Sequence, residues 1–180
     1  MSALETVAPV SAAHEGEANQ YLTFNACGEM FAIGILNVKE IIEYGTVTEI
    51  PMMPAFIRGV INLRGAVVPV VDLAARFGNQ RTQVQRRTCI IILETLGQEG
   101  KQDLGIIVDA VSAVLEILPE DIEQAPSFGA RIRTDYIAGM GKLDGRFVIM
   151  LNLGNVLSVE DMTAISALSD QDASLEAQPA

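Results

Sequence analysis

Between residues 20 and 160 the chain is written in short apolar runs punctuated by Gly, Asn, Asp and Pro, not in long helical stripes. Tyr21 to Cys27, Met30 to Ile35, Ala66 to Val71, Thr88 to Leu93, Leu104 to Val108 and Phe147 to Leu151 are rich in β-branched or aromatic residues and bounded by turn formers, which predicts strands. Many short strands with tight turns predict small β-barrels. Phe31, Ile33 and Ile35 alternate at period two and bury one strand face. The spacing then stretches to three, at Ile35, Val38, Ile41 and again at Val108, Val111, Val114, which predicts a bend or single helical turn between two strands, the corner a barrel needs in order to close.

That recurrence belongs to an internal repeat. Phe31, Ile33, Ile35, Val38, Ile41, Ile42 and Glu43 have counterparts 73 residues on in Leu104, Ile106, Val108, Val111, Val114, Leu115 and Glu116. A shift of 80 lays FIRGVINLRGAVVPVVDL (56–73) on YIAGMGKLDGRFVIMLNL (136–153), matching Ile57, Gly59, Leu63, Gly65, Val68 and Leu73 with their equivalents. One module is written twice. In each copy a hairpin tip is expected, at Asn62 to Gly65 and at Lys142 to Gly145, followed by a short helix capped by Asp72 or Asn152; Gly78 ends the first of these helices. A longer helix is expected over about 159–168, with Val159, Met162 and Ile165 as its apolar stripe.

The composition agrees with a β-rich core: 49% apolar residues, no Trp and 5% aromatics leave β-branched residues to fill it. All twelve Lys and Arg lie between Lys39 and Arg146, whereas the 23 acids divide as 3 in residues 1–18, 15 in the middle and 5 in residues 160–180. The middle is therefore 12 − 15 = −3 and the two ends carry the other −8. The acidic, aperiodic ends, 1–18 and 170–180, are expected to be disordered aids to solubility; they flank a working domain over 19–160, with 161–180 comprising the end of the C-terminal helix and the acidic tail. Such a charge balance repels phosphate backbones and speaks against nucleic-acid binding; the pair Arg86 and Arg87 is read as the solvated approach to a strand. No leader with an apolar core and no apolar run long enough to cross a bilayer occurs, so a soluble cytoplasmic protein is expected.

Candidates for catalysis are few. The single histidine, His14, falls in the leader, which removes the usual general base and the commonest metal ligand. Cys27 and Cys89 form no CxxC, and no metal site or disulfide framework is expected from them. Glu120, Asp121 and Glu123 after Pro119 read as a helix start with carboxylates complementing the dipole. Gly139-Met140-Gly141-Lys142 lacks the spacing and the following helix of a phosphate loop. No cofactor is expected, and the surface is left to carry the function.

Where the two copies differ, the fold makes no demand and another requirement acts. Arg64 stands opposite Asp144, Arg58 opposite Ala138 and Glu40 opposite Ala113. Arg64 is the leading contact residue, although pairing with a nearby carboxylate such as Glu40 is open to it; Val38 and Val111, the equivalent corner residues, serve either as packing or as an exposed apolar surface.

The blocks FAIGILNVKEII, PAFIRGVINLRGAVVPVVDL, GIIVDAVSAVLEI and DYIAGMGKLDGRFVIMLNL, in that order over about 140 residues, resemble the CheW family of chemotaxis scaffold proteins, RGVINLRG with VVPVVDL being the specific part. The resemblance implies a mainly β fold of two intertwined five-stranded SH3-like barrels with short helices, falling here at about 20–80 and 88–157 with strands exchanged between them. It implies a non-enzymatic adaptor binding the cytoplasmic helical hairpin tip of chemoreceptors and the regulatory domain of the histidine kinase CheA, in membrane-associated arrays; a scaffold of a pilus-motility or other chemosensory pathway is the alternative. By similarity Arg64, Val38, Glu40, Gly59 and Val111 lie in or near the receptor-binding groove, and no residue is assigned to the kinase contact.

Overall fold

The computed structural model describes residues 19–97, 100–124 and 134–157. Eleven strands occur among them: β1 (Gln20–Ala26), β2 (Glu29–Gly34), β3 (Val38–Glu43), β4 (Ile57–Leu63), β5 (Ala66–Asp72), β6 (Cys89–Gly97), β7 (Gly100–Val108), β8 (Ala110–Glu116), β9 (Ile122–Glu123), β10 (Ile137–Leu143) and β11 (Arg146–Leu151). Two one-turn helices, α1 (Leu73–Arg76) and α2 (Leu153–Val156), follow β5 and β11. The strands form two sheets, ordered β8-β1-β2-β11-β10-β9 and β3-β6-β7-β5-β4.

Superimposing the repeat on this topology explains it. If β1, β2, β3, β4 and β5 correspond to β6, β7, β8, β10 and β11, the order β3-β6-β7-β5-β4 becomes β8-β1-β2-β11-β10, and the two sheets are one design. The registers agree as well. Ala32 stands beside Met150 as Gly105 stands beside Val70, in the one parallel pairing of each sheet. The sheets are not, however, the two sequence copies. The first takes β1 and β2 from the first copy and the rest from the second; the other takes β3, β4 and β5 from the first copy and β6 and β7 from the second.

The stretched spacing has a structural cause in both copies. A three-residue 3-10 turn, Ile35–Asn37, carries the chain from β2 to β3, and Asp109 alone carries it from β7 to β8. A register irregularity follows at once, so that Val38 and Glu40 face Leu93 and Ile92 while Val111 and Ala113 face Phe24 and Thr23. The extra residues Lys39 and Ser112 are the bulges that bend each strand. The predicted corner between two strands is thus a turn plus a bulge, with β3 and β8 resuming beyond it. Pro119 does open a helical turn with Glu120 and Asp121 in it, but this is a single 3-10 turn that leads into β9, where Glu123 lies. The helix expected at 159–168 lies outside the described residues.

Exchange gives the fold its core. Leu22, Phe24, Phe31 and Ile33 from one sheet and Ile91, Leu93, Leu104, Ile106 and Val108 from the other form a single buried cluster between the sheets. Smaller cores lie within each barrel-like half, around Ile61, Val68, Val70, Ile90, Ile92 and Ile107, and around Ala32, Ile117, Val148 and Met150. β6 therefore faces two cores and is apolar on both sides, Cys89-Ile90-Ile91-Ile92-Leu93, with Ile90 to Leu93 fully buried. Each fully buried Leu, Ile or Phe contributes about 1.5–3 kcal/mol relative to exposure. Aromatic contacts Phe24–Phe31, Phe31–Phe77 and Phe77–Tyr136, with ring centroids 5.9, 5.4 and 5.9 Å apart, run across the junction to the segment before β10.

Candidate functional site

The β4–β5 hairpin is a two-residue turn whose central residues, Arg64 and Gly65, both have positive φ, 53° and 87°. That geometry favours Asn, Asp or Gly at its first position, and Asp144 occupies it in the equivalent hairpin with φ 49°. An arginine there gains nothing for the turn, so a requirement other than the backbone holds it. Its side chain is 73% exposed and donates to Glu40 in β3 from both terminal guanidinium nitrogens, Nη2 to Oε1 at 2.9 Å and Nη1 to Oε2. The Glu40 carboxylate holds the Arg64 pKa above its ordinary value. Since β3 and β4 are the opposite ends of their sheet, this pair spans the seam where the barrel closes.

Gly59 makes the same closure from the backbone side. Its φ is 146°, and a Cβ at this position would stand 2.0 Å from the Thr48 carbonyl oxygen. Thr48 and Val60 exchange two backbone hydrogen bonds of 2.9 Å there. Gly59 is thus a close-approach residue that places the hairpin and offers no side chain of its own. Val38 and Val111 sit at the two bulges, each half-buried against the core shared by the sheets. Of the five residues singled out in the sequence, Arg64 and Glu40 are joined directly, Val38 lies two residues before Glu40 on the same strand, Gly59 underlies the hairpin, and Val111 occupies the corresponding place on the other sheet.

Part of the exposed apolar surface falls on residues that period counting places in the stretched apolar spacing. Ile41 and its repeat equivalent Val114 are 42% and 48% exposed, on strands that end their sheets. Leu115 is also exposed, as are Val67 and its equivalent Phe147, the second residues of β5 and β11. Their exposure follows from the bulges, which change which side of β3 and β8 faces inward.

A second network was missed for a different reason. Arg58, opposite Ala138 in the repeat, is not a surface cation: only 13% of its side chain is exposed, and it pairs with the fully buried Asp72 and donates from Nη2 to the Thr82 carbonyl at 3.1 Å. Asp72 caps α1 as expected, accepting from Ala74 N at 3.1 Å, and also accepts from Thr82 N and Oγ1, both at 2.8 Å. The signal was in the repeat. Where Arg58 becomes Ala138, Asp72 becomes Asn152, so charge and countercharge are lost together.

Beside this network lies an open cleft of about 530 Å³ lined by Cys27, Ala74, Asn79 to Gln83, Gln85, Thr88 and Asp109. Burial, followed by the Asp109 charge, pushes the Cys27 thiol up to about 11, and burial raises Asp109 as well. Among the described residues no group of His, Cys, Asp and Glu is placed to hold a metal, and no helix is long and apolar enough to cross a membrane.

A duplicated, strand-exchanged pair of barrel-like sheets, with apolar residues and a clamped arginine on their edges, is the class of architecture found also in a scaffolding protein of known structure. The chain belongs to the CheW family: the CheW-like domain profile matches residues 20–161. It is 37% identical over 165 residues to the chemotaxis protein CheW of Klebsiella aerogenes, covering 92% of this chain and 96% of that one. It is 32% identical over 145 residues to CheW of Rhizobium meliloti, with 81% and 91% covered. The crystal structure of the scaffolding protein TtCheW from Thermoanaerobacter tengcongensis matches with a TM-score of 0.71 at 35% identity, over 80% of this chain and 90% of that one. Protein FrzA of Myxococcus xanthus is 27% identical over 132 residues, with 72% and 79% covered.

Proposed function

We propose that this CheW-like chemotaxis scaffold couples chemoreceptors to the histidine kinase CheA, without catalysis of its own, in the cytoplasm at membrane-associated receptor arrays. The observation that carries the reading is Arg64, a cation kept at a turn position better suited to Asp or Asn and presented beside half-buried Val38. In the complex, the apolar stripe of Val38 and Val111, with Gly59 setting the hairpin beside it, receives the packed helices of a receptor tip. Arg64 then supplies a directional contact to a receptor carboxylate or carbonyl that fixes the register. Glu40 holds the guanidinium ready in the free protein and yields it to the partner. The second reading is a scaffold of a pilus-motility or other chemosensory pathway, which the same CheW-like blocks would serve.

The test is the autophosphorylation rate of CheA with receptor-containing membranes, with and without this protein, and with Arg64→Glu as a third arm. A large stimulation by the native chain that the variant loses, with receptor affinity lower by about 2–5 kcal/mol, supports coupling through the hairpin. Thermal unfolding of the variant is expected to be nearly unchanged; loss of the transition would make Arg64 structural. Absence of binding to both receptor and kinase would end the proposal.

A further inference from the structure

The loop joining α1 to β6, residues 79–88, is NQRTQVQRRT: it holds Arg81, Arg86 and Arg87, three of the chain's twelve cations, and no acid. It is fastened near its two ends, at Asn79 to Thr82 and at Thr88, whose carbonyl accepts from Tyr44 N. Thr82 is buried on Asp72, and Thr88 Oγ1 accepts from Gln85 N at 2.8 Å, while Gln83, Val84, Gln85, Arg86 and Arg87 between them are exposed. Arg81 is engaged by Glu49 and the Ala55 carbonyl, but neither Arg86 nor Arg87 enters an ion pair with a described residue. In a protein of net charge −11 this concentrates unanswered positive charge on one exposed segment.

The opposite charge leaves the fold nearby. Residues 158–180 contain Glu160, Asp161, Asp170, Asp172 and Glu176 and no Lys or Arg. The residue before them, Leu157, is buried in the shared core, and the Val156 carbonyl accepts from Arg76 Nε at 2.8 Å, so this segment departs beside α1, the helix from which the basic loop itself springs. An extended chain covers about 3.3 Å per residue and a helix about 1.5 Å, so the 19 steps from Leu157 to Glu176 reach at most roughly 60 Å, and about 45 Å with the helix expected over 159–168, whereas the 8 steps from Asn79 to Arg87 span at most about 28 Å. The acidic residues 1–18 lead instead into Asn19, whose carbonyl accepts from Ile117 N, next to β8.

We infer that the acidic segment 158–180 folds back in cis onto the basic loop 79–88, with its carboxylates on Arg86 and Arg87. Single exposed ion pairs are weak, but tethering raises the local concentration of the acids to the millimolar range, which lets several weak pairs act together. The segment then competes with any acidic partner for that loop and neutralises its exposed positive charge. Beyond a Debye length of about 8 Å at physiological salt such charges no longer feel one another, so the contact is local and salt-sensitive.

The experiment compares backbone amide spectra of the full chain with those of a full chain carrying Glu160→Gln, Asp161→Asn, Asp170→Asn, Asp172→Asn and Glu176→Gln, in low salt and in about 0.5 M salt. Docking in cis predicts chemical-shift differences concentrated at Gln83 to Thr88 in low salt, independent of protein concentration and abolished by high salt. Identical loop shifts in the two proteins would overturn it, as would differences that grow with protein concentration, which assign the segment to a second copy. A loop that responds only when Glu5, Glu15 and Glu17 are neutralised would overturn it in favour of the amino-terminal segment.

Discussion

Buried charge in this molecule is arranged so that the two repeats test each other. Removing Arg58 alone leaves Asp72 buried with its charge uncompensated, and Arg58→Ala is expected to cost about 3–5 kcal/mol in urea unfolding. The double variant Arg58→Ala with Asp72→Asn installs the pair that the second copy already uses, Ala138 and Asn152, and is expected to recover most of that loss. A double variant no more stable than the single one would show that Arg58 acts through packing on Tyr44, whose ring centroid lies 5.8 Å from its guanidinium carbon, and not through the charge. Cys27 offers a test by pH. With its pKa raised from 9.0 to about 11, its thiolate fraction at pH 8 is about a hundredfold below that of a free cysteine, and alkylation should slow by the same factor. The unfolded chain loses this proton first, so the stability gained from the buried thiol is whole below pH 9 and declines as pH rises towards 11.

At the scale of elements, the strands with uninterrupted alternation or continuous apolar runs were legible, as were both hairpin tips and the cap at Asp72. Bent or edge strands were not, because a 3-10 turn and a bulge together mimic a spacing of three. Gly59 belongs to this scale, since its work is to let β4 pass under Thr48. Gly59→Ala forces a Cβ against a carbonyl at positive φ, and a loss on the order of 3 kcal/mol is expected from chemical denaturation. Gly139 has the same place in β10, but there the nearest atom, at 2.7 Å, is the Ile122 Cγ2 of a side chain, so Gly139→Ala should cost less. Equal costs at the two sites would mean that the close approach to Thr48 is relieved by backbone movement.

For the whole molecule, strand exchange makes the halves inseparable. A fragment of residues 1–85 contains β3, β4 and β5 but lacks β6 and β7, which lie between β3 and β5 in their sheet. Such a fragment is expected to show no cooperative thermal transition by circular dichroism, whereas the full chain should unfold in one. A folded fragment would mean that β1 and β2 can replace the missing pair from within the same copy, the arrangement from which a duplicated, unexchanged ancestor would be built.

By itself the sequence determined the β-rich class, the duplication, the turn positions and the residues at which the copies part company, because each of these is written in local periodicity, turn chemistry or direct comparison of the chain with itself. Family membership was legible in the same way, from four blocks in order. Only the tertiary structure decided which copy supplies which strand, since identical modules pair equally well within a copy or across copies and the choice rests on the path through Ile35–Asn37 and Asp109. It alone showed Arg58 to be the buried countercharge of Asp72 on the neighbouring strand, and joined Arg64 to Glu40 across the closing seam, because burial and the meeting of a sheet's two end strands depend on how the whole barrel closes.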